Sequence, residues 1–153
     1  MELWDGYDAN FNHIASLVLV SDEELPIGVY HLVTNILITN GNHHYLRIED
    51  INNKGVWQPS ISGNAQLGES ASTCAKRLLN NHLAIKCDKL NELGKTIIND
   101  TICVNYLYQL DISSIEYLDN KSINYTWVNK ETLLSLENEL LKNETIINYL
   151  TNN

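Results

Sequence analysis

The hydrophobic residues of this chain follow two periods, and the period changes near the middle. Toward both ends they form short β-branched runs bounded by polar turn residues, which are typical of strands. The segment Asn40-Gly41-Asn42 predicts a hairpin turn between two of these strands. The predicted strands are His13–Val20, Tyr30–Thr39, His44–Ile48, Val56–Ser62, Cys103–Ile112 and Ile123–Val128.

Between these strands the apolar residues recur at helical spacing. Asn129 predicts the N-cap of a later helix, and Asn143–Leu150 predicts a short final one. One long helix among many strands favours a mixed β-sheet flanked by helices, of the α/β or α+β class, over a doubly wound parallel sheet. We expect a single domain over residues 1–153. The long helix is predicted over Glu69–Ile85, with an apolar stripe of Cys74, Ala75, Leu78, Leu79 and Leu83.

Charge and composition narrow the possible partners. The formal net charge is −9, which repels phosphate backbones, so we expect no nucleic-acid partner. No run of about 18 apolar residues is present, so we expect no membrane span. The start of the chain lacks the basic and apolar regions of a secretory signal. Cys74, Cys87 and Cys103 form no C-x-x-C pair, and together these features favour a reduced, cytoplasmic protein.

The segment from Gly63 through the predicted helix carries the most specific pattern. It resembles the Nudix motif, G-x5-E-x7-R-E-U-x-E-E-x-G-U, where U is a bulky aliphatic residue, and the spacing fits without a gap. The matching residues are Gly63, Glu69, Arg77, Leu79 and Ile85. The residues that depart from the motif are Leu78, Asn81, His82 and Ala84.

The resemblance extends along nearly the whole chain. Trp4–Asp8, Leu25–Val33 and Trp57–Gly63 are similar to the Nudix subgroup related to type I isopentenyl diphosphate isomerase. Tyr125–Leu133 is similar to the closing strand and helix of the family. The isomerase reaction needs a cysteine on the strand that enters the motif, hereafter the box (residues 63–85), and none lies between Trp57 and Gly68. The resemblance therefore implies a Nudix-type mixed sheet between helices, without the isomerase chemistry.

What the resemblance implies for chemistry depends on three positions. In the family, helix carboxylates at these positions hold magnesium or manganese, which neutralises a substrate diphosphate and activates water. Here the positions hold Leu78, Asn81 and His82, so no carboxylate remains. The metal candidates that are left, Glu69, Asn81 and His82, make a poor magnesium site, because an amide and an imidazole suit other metals better. We therefore expect no catalytic residue at Leu78, Asn81 or His82, and no bound cofactor.

The loop half of the motif is retained. The resemblance implies that Glu69 and Arg77 pair and fix the loop against the helix, and that the Ser62 carbonyl lies at the metal position. A ligand-binding loop of Ser62, Gly63, Gly68, Glu69 and Arg77 is therefore predicted. The resulting hypothesis is a weak or inactive hydrolase that binds a nucleotide or another small molecule, such as a nucleoside diphosphate derivative, or acts as an interaction protein.

Two alternatives stay open. The first is an active hydrolase that cleaves a nucleoside diphosphate-linked substrate with relocated metal ligands. Magnesium or manganese would then be held on the Ser62 carbonyl by Glu69, Asp119, Glu116 or Glu49. The second is a protein–protein module that forms a homodimer or binds a basic partner, which the acidic charge would suit.

Overall fold

The structure, a computed structural model, describes residues 1–50, 53–111, 116, 118, 123–136, 140 and 143–153. Within these ranges the helices are α1 (Ala71–Leu83), α2 (Lys130–Ser135) and α3 (Glu144–Asn152). None of them is long and apolar enough to cross a membrane. The strands are β1 (Leu3–Tyr7), β2 (His13–Val20), β3 (His31–Thr39), β4 (His44–Glu49), β5 (Trp57–Pro59), β6 (Ile61–Asn64), β7 (Asn91–Ile98), β8 (Thr101–Gln109) and β9 (Tyr125–Asn129).

Most of the strands form one mixed sheet with β3 at its centre. β3 is parallel to β8 and antiparallel to β6, and β7 lies at the edge beside β8. β4 extends the sheet toward β5 and β9. β1 and β2 form a separate antiparallel pair, which is joined to the rest by a bridge between Tyr7 and Tyr30. The sheet is therefore mixed, as predicted.

The two faces of β3 are covered by different helices, because successive strand residues point to opposite sides. Leu32 and Ile36 face the core that α1 covers, together with its buried stripe. Leu37 faces the second core, which α2 and α3 cover. The sheet thus lies between helices, and the predicted fold class is confirmed. The predicted apolar stripe of α1 is confirmed as well, since all five of its residues are buried.

Local signals account for most element boundaries. The predicted hairpin turn is confirmed, since β3 and β4 pair in antiparallel fashion across residues 40–43. Asn129 caps α2 as predicted, and its side chain accepts a hydrogen bond from the Thr132 N–H. The single strand predicted over Val56–Ser62 is wrong: Ser60 is buried and divides it into β5 and β6. Its hydroxyl donates to the Leu46 carbonyl at 2.6 Å and accepts from the Ile38 N–H at 3.0 Å.

Two strands were not predicted from the sequence, and both are only partly covered. β1 is short, and β7 is an edge strand whose residues are exposed or half-buried. Strands of this kind carry little apolar alternation, so their patterns are inconspicuous. The strand predicted over residues 103–112 begins earlier, at Thr101, and is described to Gln109. Its predicted last residue, Ile112, lies outside the described residues.

Candidate functional site

The motif folds as a strand, a loop and a helix. Gly63 lies in β6, and α1 begins only after Ser70, whose hydroxyl accepts a hydrogen bond from the Thr73 N–H at 3.1 Å. The predicted helix over Glu69–Ile85 is therefore too long by two residues at each end. At the C-terminal end of α1, Ala84 adopts a left-handed conformation, with φ 52° and ψ 34°. Its N–H donates to the carbonyls of Asn80 and Leu79 in the last turn of the helix. This is the geometry that favours glycine, which explains the glycine of the family motif at this position.

Glu69 and Arg77 form the ion pair that the resemblance implies. The Arg77 Nε donates to Glu69 Oε2 at 2.7 Å, and its Nη2 donates to Glu69 Oε1 at 3.0 Å. The same Nη2 donates to the Asn64 carbonyl at 3.0 Å, so the pair also holds the loop. Hydrogen bonding from Arg77 lowers the pKa of the Glu69 carboxyl, and Glu69 in turn raises the pKa of Arg77. The bidentate geometry is that of a strong pair.

The metal-ligand positions of the family are occupied very differently here. Leu78 is 5 % exposed and belongs to the core beneath α1. It fills the space over Gly63, since a Cβ built on that glycine would lie 2.7 Å from Leu78 Cδ2. Asn81 and His82 lie on the exposed side of the same helix. Desolvation lowers the pKa of the His82 imidazole, and the nearby Asp50 opposes this shift.

These residues do not fit magnesium or manganese, which prefer several oxygen ligands. Leucine offers no ligand atom, and Asn81 and His82 are neutral ligands of low affinity for such ions. Glu69 is committed elsewhere, because besides Arg77 it accepts a hydrogen bond from the Gln66 N–H at 2.7 Å. Among the described residues, no group of three or more His, Cys, Asp or Glu side chains is placed to hold a metal ion.

Within the described ranges, the relocated carboxylates proposed from the sequence belong to no group of three or more His, Cys, Asp or Glu side chains that could hold a metal ion. Glu49 accepts hydrogen bonds from the Gly55 N–H at 2.8 Å, in the turn after β4, and from the Asn124 side-chain amide at 2.7 Å, just before β9. Glu116 is exposed. Asp119 lies outside the described residues.

Oxygen atoms of β1 accept hydrogen bonds from N–H groups of the loop between Gly63 and α1. The Gly68 N–H donates to Asp5 Oδ2 at 2.8 Å, and the Leu67 N–H donates to the Leu3 carbonyl at 3.0 Å. Backbone N–H groups in glycine-containing loops are common ligands for phosphate oxygens. Here β1 takes up two of them. Asp5 was missed from the sequence, because nothing local connects it to a loop more than sixty residues away.

A cavity of about 300 Å³ lies on the sheet face opposite α1, between the sheet and the start of α3. Ser62, in β6, lines this cavity. The other residues of the predicted ligand loop, Gly63, Gly68, Glu69 and Arg77, are not among its described lining residues. Besides Ser62, the polar side chains in its lining include those of Asn35, Gln58, Asp100, Thr101, Cys103 and Asn143.

Buried amides shape the floor of this cavity. The Asn143 side chain donates to Asn105 Oδ1 at 2.7 Å, and Asn35 donates to the same oxygen at 3.2 Å. Cys103 is 6 % exposed, and burial raises the pKa of its thiol, which therefore stays protonated at neutral pH. Sequence analysis missed this site, although one signal was available: Asn35 and Asn105 interrupt strands that are otherwise apolar.

Comparisons with known proteins support the fold. No family model matches the sequence, and no curated protein matches it. Similar solved structures include DR0079 from Deinococcus radiodurans, with a TM-score of 0.65 and 14 % identity over 88 % of this chain and 87 % of that one. A mutT/nudix family protein from Listeria innocua matches with a TM-score of 0.58 and 15 % identity, over 80 % of this chain and 94 % of that one.

NrtR from Shewanella oneidensis matches with a TM-score of 0.57 and 14 % identity, over 75 % of this chain and 61 % of that one. Identities this low report on fold and not on activity. The similarity to the isomerase-like subgroup stays a prediction. Since the layered sheet, the loop–helix box and these structural neighbours agree, the chain has the Nudix fold.

Proposed function

We propose that this protein is a Nudix-fold small-molecule binding protein whose box has lost metal-dependent diphosphate hydrolysis. The observation that carries the proposal is Leu78, a buried leucine packed over Gly63 at a position where the family has a metal-binding carboxylate. A side chain in that position supplies neither charge nor a ligand atom. The exposed Asn81 and His82 do not replace what is lost.

Electrostatics support the same conclusion. Asp5 and Glu69 already place two carboxylates on N–H groups of the box loop. A diphosphate approaching this loop without a metal would meet negative charge, and each nearby like charge costs on the order of several kcal/mol at intermediate dielectric. Arg77 does not offset this repulsion, because its guanidinium is bound to Glu69. The loop keeps its shape, but its binding groups for anions are occupied by the protein.

The test is a manganese titration followed by thermal shift and by hydrolysis of a panel of nucleoside diphosphate derivatives. A ligand that binds the folded state raises its melting temperature by mass action, so thermal shift detects manganese binding even without hydrolysis. Because the box lacks metal-binding carboxylates, the natural chain should show neither stabilisation by manganese nor hydrolysis above a buffer blank. The double variant Asn81→Glu, His82→Glu restores two carboxylates at exposed positions, so it should stay folded and gain stabilisation by manganese. The matched variant Asn81→Gln, His82→Gln should not gain it.

Hydrolysis by the natural chain that rises well above the blank and disappears with a chelator would overturn the proposal. That result would favour the alternative of an active hydrolase with relocated ligands, in which Asp119 would be the first residue to replace. A homodimer remains a separate prediction, and light scattering of the purified protein would measure it directly.

A further inference from the structure

The outer face of the β1–β2 pair carries an exposed apolar patch. Leu3 pairs with Val20 across the two strands, and on its other side the Leu3 carbonyl accepts a hydrogen bond from the Leu67 N–H at 3.0 Å. Val18 lies two residues before Val20 and therefore on the same face, since side chains alternate along a strand. Leu3 is 45 % exposed, Val18 50 % and Leu67 44 %. These four residues form the outer patch.

The inner face of the same strand pair is packed against the rest of the protein. Trp4 and Leu19 alternate with the patch residues along β1 and β2, and both are buried. The Trp4 ring stacks on His31 of β3, with ring centroids 4.3 Å apart and an angle of 13° between the ring planes. The pair is thus anchored through one face while the other presents apolar side chains to solvent. Adjacent exposed apolar side chains are typical of interaction sites.

Acidic residues are concentrated in the part of the chain that forms this pair. Residues 1–46 contain six of the nineteen Asp and Glu residues and none of the ten Lys and Arg residues. Three exposed acids follow Val20 in the turn after β2: Asp22, Glu23 and Glu24. That turn is held beside the patch, because the Glu23 N–H donates to the Val20 carbonyl at 3.0 Å. An apolar centre with charges of one sign at its rim is complementary to a partner of the opposite sign.

We infer that the outer patch is a docking surface for a basic segment of another protein, one that combines aliphatic side chains with lysine or arginine. The aliphatic side chains would pack on Leu3, Val18 and Leu67, and the cationic groups would face the acids of the turn after β2. A second copy of this chain fits less well, because it would bring the same acidic turn and a formal charge of −9 against an equal charge. An anionic membrane surface is disfavoured for the same reason. This inference goes beyond the proposed function.

Three short model peptides of equal length test both requirements. The first alternates lysine with leucine, the second lysine with serine, and the third glutamate with leucine. Each is titrated into the full chain at low salt and followed by heteronuclear NMR of the backbone amides. We expect the lysine–leucine peptide to shift the amides of Leu3, Val18 and Leu67, and to bind about tenfold more tightly than either other peptide. Its affinity should fall as salt is added, because the attracting charges are exposed.

The apolar requirement is tested by the double variant Val18→Thr, Leu67→Gln. It should stay folded, because neither side chain belongs to a core of the protein. It should weaken binding of the lysine–leucine peptide by about fivefold or more, since apolar contact area is lost. The matched double variant Val56→Thr, Ile97→Thr changes two exposed apolar residues in other elements and should leave the affinity nearly unchanged.

The charge requirement is tested by the double variant Glu23→Gln, Glu24→Gln, which removes two charges beside the patch. The control Asp88→Asn, Glu131→Gln changes the net charge equally, at exposed positions outside residues 1–46. The first pair should weaken the lysine–leucine peptide clearly more than the second. Equal effects of the two pairs would indicate a general attraction to net charge and would overturn the inference.

Three other results would overturn it as well. These are equally tight binding of either other peptide, shifts located away from the outer patch, and the absence of any shift. A dimer that light scattering detects in the natural chain but not in Val18→Thr, Leu67→Gln would assign the patch to a second copy instead. Binding to neutral phosphatidylcholine vesicles that the same variant loses would assign it to a membrane. Failure of the proposed function is distinguishable, because the manganese titration reports on metal binding at the box.

Discussion

Replacing Gly63 by alanine tests whether Leu78 really fills the space above the box glycine. The new Cβ would lie 2.7 Å from Leu78 Cδ2 and 3.0 Å from Leu78 Cδ1, where ordinary contacts begin at 3.4 Å. Leu78 cannot move freely, because it is 5 % exposed within the core. Overpacking of this kind costs about 1–3 kcal/mol. The left-handed backbone region plays no part, since Gly63 is not among the positive-φ residues.

The double-mutant cycle isolates the contact. Leu78→Ala should destabilise the protein by about 2–4 kcal/mol, as expected for a buried leucine. With the leucine side chain gone, Gly63→Ala should cost almost nothing more, which gives a coupling energy of about 1–3 kcal/mol. Urea denaturation measures the free energy of unfolding of all four proteins, and an unchanged slope against urea would show that the unfolded state is comparable.

Gly6 provides a matched control for the cycle. A Cβ on Gly6 would lie 2.7 Å from Leu17 Cδ2, so Gly6→Ala creates a similar clash with a different leucine. Its penalty should add to that of Leu78→Ala within about 0.5 kcal/mol, because the two sites share no contact. Simple additivity for Gly63→Ala with Leu78→Ala would refute the reasoning. The space above Gly63 would then not be filled by Leu78.

Two further predictions concern Ala84 at the end of α1 and the ion pair of Glu69 with Arg77. Ala84→Gly should stabilise the protein by about 0.5–1 kcal/mol, because glycine tolerates the left-handed conformation that Ala84 adopts. The control is Ala9→Gly, in an exposed turn where φ is not positive, which should not stabilise the protein. Thermal melts measure the Tm of both variants. A Tm of Ala84→Gly below that of the natural chain would contradict the prediction. Arg77→Ala should cost about 1–3 kcal/mol at neutral pH, because it breaks a partly buried bidentate pair. Arg77 holds the pKa of Glu69 below 4.5, so the pair stabilises the fold above that pH and is lost as pH falls through the lower folded value. Urea midpoints of natural chain and variant should therefore converge on acidification, and a constant difference down to about pH 3 would contradict the assignment.

Much of the fold was predictable because it depends on neighbours in the chain. The stripe from Cys74 to Leu83 predicts a helix through its spacing alone, and all its residues are buried as expected. Asn129 caps α2 with a side chain that reaches only three residues along the chain. β2 has the predicted bounds, since its β-branched run is bordered by turn residues on both sides. The motif itself is a local pattern, so its retained ion pair and its missing carboxylates were visible without a structure.

The tertiary structure decided what those residues do. Three contacts depend on how separate elements pack. Leu78 packs over Gly63, and Asp5 accepts a hydrogen bond from the Gly68 N–H. Asn35 and Asn143 come from different elements and line the same cavity. Spacing along the chain carries no information about such distant contacts, because they arise from the order of strands and the faces that helices cover. The sequence by itself determined most of the elements, the fold class and the absence of carboxylates at Leu78, Asn81 and His82. Packing determined that Leu78 fills the space over Gly63 and that a cavity remains on the opposite face of the sheet.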